Sequence, residues 1–412
     1  MGQTQGDDMT MGQTQGDDRS ADKDKGGGVT TDKFLYVSGL RLCYGGGGTA
    51  DKRESDYINN YRKSIIDSAK QKDWKTSGQS AAFQGRAPET ADLYARITGI
   101  SPYRGGSFLY AAFTHDISGI LQKDCADGRE QYLIHDNKYV FSHIAYVPEA
   151  DMILTSVTDN PQTNHIGRFD CKTNDLEILT AGDAFDEYPS YHDGKIYFSS
   201  RGIGRDAMGR MTGYGQSSLF TLDKDNRCEE VLSERGFDLI APQMDGEGNL
   251  YYIRKPYKPR RPASVGFGDV LLFPFRLLYN VFRALFFISR IGQKSDKRNQ
   301  SATQGADPAV STEFSERDLY IYGEQIRIRE EENAARRRQD KNAGFAPARF
   351  ELYKRAPDGA AAKIKSGVLS YDLDGGGGVV YTNGRYIIKL QKDGTETALH
   401  KDGVITAVKL DR

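Results

Sequence analysis

Short apolar and aromatic runs, separated by turn residues, recur along most of the chain. Between residues 187 and 234 an Asp193-Gly194 turn joins two such runs, and two more follow. The four runs lie at 188–191, 195–202, 218–223 and 228–232. This pattern predicts a four-stranded antiparallel meander. One such sheet cannot bury both of its faces alone, so the meander needs neighbouring copies of itself.

Comparable runs recur along the sequence, and those at 107, 151 and 195 begin about 44 residues apart. Two lie before the meander, at 107–111 and 151–156, and two lie after it, at 249–253 and 378–381. A repeat of about 40 to 45 residues, with four strands in each unit, is the period of a β-propeller. The predicted fold class is therefore all-β, a six-bladed β-propeller with helical insertions.

One unit also resembles a known repeat. Residues 188–201 read Tyr-Pro-Ser-Tyr-His-Asp-Gly-Lys-Ile-Tyr-Phe-Ser-Ser-Arg, which is similar to the TolB-type propeller repeat. The resemblance implies the propeller fold. It implies no single function, because periplasmic scaffolds, accessory domains of peptidases and lyases all use this repeat.

The two ends of the chain and two insertions complete the predicted architecture. We expect a strand at 33–39 to pair with a terminal strand at 403–410, so that the N- and C-terminal strands close the ring. Apolar residues at helical spacing predict an amphipathic helix at 52–72. The predicted parts are a disordered leader at 1–32, a first propeller part at 33–256 with the helical insertion at about 50–75, an inserted segment at 257–348, and a last propeller part at 349–412.

The inserted segment contains a long apolar stretch at residues 270–291, in which the polar residues Arg276, Asn280, Arg283 and Arg290 share one narrow helical stripe. Both ends of the segment must return to the same blade, so the helix is expected to lie in a membrane interface. The predicted membrane contacts are Phe273, Phe275, Arg276, Leu278, Tyr279, Phe282, Arg283, Phe286, Phe287 and Arg290. The predicted contacts with anionic lipid are Arg254, Lys255, Lys258, Arg260, Arg261, Lys294, Lys297 and Arg298.

Two other interpretations of the apolar helix stay open. It can pack against a partner or a second copy of the chain, or it can pack within the molecule.

Farther along, residues 316–340 are predicted to form a charged helix. In that helix Glu332 precedes Arg336 by four residues, which is a favourable spacing for an ion pair.

The charge balance and the motifs of the sequence restrict which partners, cofactors and reactions are expected. The chain has 56 basic and 57 acidic residues, so it has no overall field that attracts nucleic acid, and no nucleic-acid partner is expected. The four cysteines and six histidines show no metal-binding spacing, and no Gly-x-Ser-x-Gly elbow is present. We therefore predict no cofactor, no metal and no catalytic residue.

These observations favour a non-enzymatic scaffold or binding protein. It would attach peripherally to an anionic membrane surface through the insertion and bind an unidentified protein partner on a propeller face. The polar N-terminal leader lacks the features of a secretory signal, which predicts a cytoplasmic location at the inner face of the membrane. The alternatives are a propeller enzyme, a lyase or hydrolase with residues that converge at the central channel, and a soluble homo-oligomer held by the insertion.

Overall fold

The computed structural model describes residues 32–46, 49–76, 95–114, 117–160, 162–258 and 318–411. Most of this part of the chain is β-strand. The strands up to Pro256 are, in chain order, β1 (Lys33–Ser38), β2 (Arg41–Gly46), β3 (Thr49–Glu54), β4 (Ala95–Pro102), β5 (Ser107–Thr114), β6 (Ser118–Asp124), β7 (Glu130–Asp136), β8 (Val140–Val147), β9 (Met152–Asn160), β10 (Thr163–Asp170), β11 (Leu176–Ile178), β12 (Ala184–His192), β13 (Lys195–Arg205), β14 (Met211–Tyr214), β15 (Ser218–Leu222), β16 (Cys228–Leu232), β17 (Phe237–Met244) and β18 (Leu250–Pro256).

The remaining strands follow in the last part of the chain. They are β19 (Asp318–Ile321), β20 (Glu324–Arg327), β21 (Glu351–Arg355), β22 (Ala361–Ser366), β23 (Ser370–Leu373), β24 (Val379–Thr382), β25 (Tyr386–Leu390), β26 (Glu396–Lys401) and β27 (Ile405–Asp411). The described helices are α1 (Asp56–Thr76) and α2 (Ile328–Arg337), with a single 3-10 turn at Arg104–Gly106.

Antiparallel pairing joins these strands into sheets of four. The simplest have the orders β4-β5-β6-β7, β17-β18-β21-β22 and β23-β24-β25-β26. Strands β8 to β11 form another set, and β12, β13, β15 and β16 form the next, with β14 paired only to β13. One parallel pair, Asn164 with Phe185, links these last two sets. The meander predicted between residues 187 and 234 is therefore confirmed, since its four runs are β12, β13, β15 and β16.

Strand β1 is buried on both of its faces. It lies between β27 and β2, and its residue Phe34 stands opposite Leu410. Side chains alternate along a strand, so Phe34 and Tyr36 face one way and Leu35 and Val37 the other. The first pair packs with residues of β24 and β25, and the second pair packs with residues of β4 and β5. The hydrophobic core thus lies between successive sheets.

The predicted helix after the first sheet is confirmed, but it begins at Asp56 and not at residue 52. Residues 49–54 instead pair with β2. Ser55 sets the boundary because its Oγ accepts a hydrogen bond from the backbone N–H of Ile58 at 3.1 Å. The Glu130 carboxylate accepts two further N–H groups at the start of the helix, and buried Lys123 lies 3.0 Å from it. These contacts fasten α1 to the sheet of β4 to β7.

The charged helix predicted at 316–340 is wrong in its first half. Residues 318–327 form a β-hairpin, which we call the Tyr322 hairpin. Tyr322 and Gly323 turn the chain with positive φ angles of 52° and 75°. Apolar residues also alternate along this stretch with the period of a strand. The second half is helical as α2, but Glu332 forms its ion pair with Arg385 of the last sheet and not with Arg336.

Both helices and the Tyr322 hairpin lie on one side of the molecule, which we call the insertion face. Ile58 of α1, Leu319 of the hairpin and Ile328 of α2 line one small cleft there. Ile326 and Ile328 are buried in the same cluster as Phe350 and Val368, so residues 318–348 are packed into the body of the protein. Among the described helices, none has the length and apolar character needed to cross a membrane.

Candidate ligand-binding cavity

One edge strand from each set of strands contributes to the wall of a central cavity. Strands β4, β8, β12, β17, β23 and β27 all contribute to its wall, and its volume is about 2420 Å³. Typical small-molecule pockets have volumes of about 300–1,000 Å³. The central cavity is therefore large enough for a segment of polypeptide.

Three consecutive wall strands carry the same irregularity. The register of β8, β12 and β17 shifts by a two-residue bulge. The first bulged residue has a positive φ in each case: 48° at His143, 57° at Tyr188 and 55° at Ala241. This conformation is uncommon for residues other than glycine, and bulges change the direction of side chains. Pro189 and Pro242 follow two of these residues and lack the N–H that a regular ladder requires.

The bulges bring a row of aromatic rings into the cavity. The rings of His143 and Tyr188 have centroids 3.8 Å apart at an interplanar angle of 36°. Tyr188 in turn lies 5.6 Å from Tyr322, at the tip of the hairpin, and Tyr322 lies 5.6 Å from Phe350. The row therefore joins four separate parts of the chain, and the hairpin supplies one ring of it.

A desolvated ion pair lies beside this row. The Arg201 guanidinium binds the Glu187 carboxylate, and their side chains are 21% and 16% exposed. The same guanidinium lies over the rings of Phe185, at 5.0 Å, and Tyr214, at 5.3 Å. Arg201 is thus held by both charge and aromatic contacts. It forms a rigid, polar part of the cavity wall.

Burial shifts the pKa values of one histidine and two tyrosines of the cavity toward their uncharged forms. It lowers the pKa of the His143 imidazole below its ordinary value, and the Arg201 cation lowers it further against the opposing effect of Glu187. Burial also raises the pKa values of the Tyr322 and Tyr371 phenols. The phenols therefore remain hydrogen-bond donors. Tyr371 Oη donates to the Ala241 carbonyl at 2.6 Å.

The two ends of the cavity differ. The Tyr322 hairpin lines the end at the insertion face. At the other end, which we call the open mouth, Tyr103 and Tyr146 form an edge-to-face pair with centroids 4.6 Å apart. Arg104 binds Asp151 at 3.2 Å beside that pair, and His192 also lines this end. At the open mouth Tyr146 is partly exposed, Tyr103 is buried, and the charges of Arg104 and Asp151 are paired.

The structure corrects part of the predicted lipid site. Lys255 is not a lipid contact, because its side chain is only 5% exposed and binds Asp238 at 2.8 Å. Arg254 is 17% exposed and pairs with Glu234 and Glu351, so it does not face outwards either. Both residues belong to β18, where consecutive side chains point to opposite faces and each finds its own carboxylate.

Lys258 is the one predicted lipid contact among the described residues that remains largely exposed, at 60%, although its ammonium lies 2.9 Å from Glu324. The other predicted residues fall outside the described part of the chain. They are Arg260, Arg261, Phe273, Phe275, Arg276, Leu278, Tyr279, Phe282, Arg283, Phe286, Phe287, Arg290, Lys294, Lys297 and Arg298.

Sequence reasoning missed the residues that shape the cavity. His143, Tyr188 and Tyr322 are far apart in the sequence and share no motif. The bulges had one weak signal, the Tyr188-Pro189 and Ala241-Pro242 pairs at the same position in two neighbouring units. Within the described residues, no group of three His, Cys, Asp or Glu side chains is arranged to hold a metal ion.

Comparison with known proteins gives matches in structure only. No family model and no curated protein matches the sequence. Among solved structures, TolB from Acinetobacter baumannii is 10% identical with a TM-score of 0.47, and the match covers 93% of this chain and 67% of that one. A nidogen/laminin complex is 9% identical with a TM-score of 0.47, covering 92% and 98%. An oligogalacturonate lyase from Vibrio parahaemolyticus is 9% identical with a TM-score of 0.36, covering 90% and 80%. TolB and the lyase are β-propeller proteins.

Proposed function

We propose that the protein is a non-enzymatic, TolB-like β-propeller that binds a segment of a partner protein in its central cavity. In this proposal the six sheets are six blades, and the pairing of β27 with β1 closes the ring. The observation that carries the proposal is the cavity itself. It is larger than a small-molecule pocket, its wall is rich in aromatic rings, and two ion pairs, Arg201 with Glu187 and Lys409 with Asp372, lie in that wall.

The partner enters at the open mouth. Tyr146 is partly exposed there and packs edge-to-face on buried Tyr103, and aromatic side chains are enriched at the centres of protein interfaces. The opposite end is lined by the Tyr322 hairpin, which leaves less room for an incoming chain. The paired charges of Arg104 and Asp151 at the rim favour a partner that brings apolar and aromatic side chains.

Site-specific photocrosslinking tests this part of the proposal. A photoreactive phenylalanine analogue replaces Tyr146 at the open mouth or, as the control, Tyr132 on the outer strand β7, where the side chain is 53% exposed. Crosslinking in the native cell should give one discrete adduct from position 146 and none from position 132. Identical products from the two positions, or none from position 146, would contradict binding at the mouth.

We also propose that residues 259–317 attach the protein peripherally to an anionic membrane surface. The support is their sequence, with an arginine stripe in an apolar helix pattern, and the position of their flanks. Lys258 precedes the segment and Glu324 follows it, and their side chains lie 2.9 Å apart. Both flanks therefore meet on the insertion face, which agrees with a helix that lies on a bilayer.

Flotation with liposomes tests the attachment. Because residues 318–348 are packed into the body, the matched variant replaces only residues 259–317 by a short Gly/Ser loop. The intact protein should float with anionic vesicles and lose this binding in high salt, and the variant should not float. If both proteins float alike, or neither does while both remain folded, the segment is not a membrane anchor.

A further inference from the structure

The tip of the Tyr322 hairpin fills an aromatic site in the wall of the central cavity. The Tyr322 ring meets Tyr188 at an interplanar angle of 62° and Phe350 at 59°, both at centroid distances of 5.6 Å. The first contact is edge-to-face and the second is tilted, and aromatic rings attract one another at this separation. The Tyr322 hydroxyl donates a hydrogen bond to the backbone carbonyl of Leu369. The site is therefore complementary to both the ring and the hydroxyl of a phenol.

Tyr322 reaches this site only in a strained backbone conformation. Its φ is 52°, in the left-handed region that costs conformational energy for a residue with a side chain. Gly323, with φ 75°, adopts the same region more easily. A phenol that is not part of the hairpin would make the same contacts without this strain. Backbone strain therefore offsets part of the free energy that Tyr322 gains from its contacts in the site.

The hairpin tip is fastened by an incomplete set of ion pairs. The Glu324 carboxylate, 9% exposed, lies 2.7 Å from Arg349 and 2.9 Å from Lys258, and its other oxygen lies 3.5 Å from Lys255. That second oxygen and the Arg349 Nε are buried and have no hydrogen-bond partner among the residues that the structure describes. A buried polar network that is only partly satisfied is a weak point in a structure. The base of the hairpin differs, because Ile326 is packed into the core.

We propose that Tyr188, Phe350 and the Leu369 carbonyl form a phenol-binding site, which Tyr322 occupies until a phenol-bearing ligand displaces the hairpin tip. The turn at Tyr322 and Gly323 moves, while the core-packed base at Ile326 stays in place. The occupant shares the chemistry of Tyr322, and it is either a tyrosine side chain of a bound polypeptide or a small phenol. The proposal rests on the proposed function only in placing the ligand in the central cavity.

Calorimetric titration of the full-length protein tests the site with two probes. One is p-cresol, the tyrosine side chain alone, and the other is N-acetyltyrosine amide, which adds the peptide groups. Tyr322→Ala should bind p-cresol at least tenfold more tightly than the unmodified protein, since the internal competitor is gone. Toluene, which has the ring but no donor for the Leu369 carbonyl, should bind Tyr322→Ala more weakly than p-cresol does.

Two further variants serve as control and as a second test. Tyr320→Ala changes the same hairpin at a side chain that is 46% exposed and should bind p-cresol as the unmodified protein does. Glu324→Gln keeps Tyr322 and the side-chain size but weakens the ion pairs, so it should bind p-cresol several-fold more tightly. If Tyr322→Ala does not fold, the p-cresol affinity of Glu324→Gln tests the site by itself.

The result that would overturn the site is equal p-cresol affinity in the unmodified protein, Tyr322→Ala and Glu324→Gln. An equal gain in Tyr320→Ala would overturn it as well. Tighter binding of N-acetyltyrosine amide than of p-cresol supports a polypeptide ligand, and the reverse order supports a small phenol. Because crosslinking at Tyr146 and flotation do not involve this site, failure of the proposed function would show there and leave the titration unchanged.

Discussion

Replacing Lys255 by methionine should destabilise the protein strongly, because it removes one partner of a buried ion pair. The Lys255 ammonium lies 2.8 Å from the Asp238 carboxylate, and the side chains are 5% and 8% exposed. At an effective dielectric constant of about 20, opposite unit charges at that distance attract by roughly 6 kcal/mol. Desolvation of both groups offsets part of this attraction. Loss of one partner from such a pair typically costs about 3–5 kcal/mol, since the other charge stays buried alone.

The assay is urea unfolding of Lys255→Met, followed by fluorescence and circular dichroism. The matched control is Lys392→Met, because the Lys392 and Glu247 charges also lie 2.8 Å apart but are 55% and 62% exposed. Solvent screens that pair, so its loss should move the unfolding midpoint far less. A double variant with Asp238→Asn should recover much of the stability, because the new amide oxygen can still accept the Ser217 N–H.

Equal losses in Lys255→Met and Lys392→Met would refute this reasoning. So would a loss below about 1 kcal/mol for Lys255→Met, which is the range of an exposed pair. The same variant separates the two interpretations of Lys255. If it contacted anionic lipid, the substitution would weaken flotation and leave the unfolding midpoint unchanged.

Two further predictions concern His400 and Ala241. Burial lowers the pKa of His400, which lies 2.8 Å from Tyr36 Oη, below its ordinary value of 6.5, so the folded protein binds fewer protons than the unfolded chain. The contribution of neutral His400 to the free energy of unfolding is therefore complete above about pH 6.5 and is lost as the pH falls below it. His400→Gln should flatten the fall in the unfolding midpoint between pH 7 and 5. An unchanged slope would contradict this. Ala241→Gly relieves a positive φ of 55° and should leave stability equal or up to about 1 kcal/mol higher. Ala111→Gly, within strand β5, should lower stability by roughly 1 kcal/mol or more, and equal effects of the two changes would show that Ala241 is unstrained.

Local patterns in the sequence predicted the repeating sheets well. Alternating apolar residues and Asp-Gly turns mark β12 and β13, and each pattern spans only a few neighbouring residues. The helix α1 was also predictable, because its apolar residues recur with the helical period. Its first residue was not, since the boundary depends on Ser55 and on a carboxylate, Glu130, from a distant strand.

The prediction of a helix at residues 318–327 failed because composition and period disagreed there. Charged residues that favour helices surround Leu319, Ile321 and Ile326, yet Leu319 and Ile321 alternate as in a strand, and Ile326 stands opposite Leu319 in the hairpin. Burial of Ile326 in the core decides between the two patterns. The basic run at 254–258 failed for a related reason. A run of like charges suggests a surface patch, but the strand sends Arg254 and Lys255 to different carboxylates.

The sequence by itself determined the type and period of the elements, because hydrophobic alternation and turn chemistry act between residues that are close in the chain. It also supplied the charged and aromatic residues of each repeat. Only the tertiary structure decided which of them meet. His143, Tyr188 and Tyr322 form one row of rings because separate strands and a hairpin converge on the cavity. Such convergence depends on long-range packing, and the spacing of residues along the chain does not predict it.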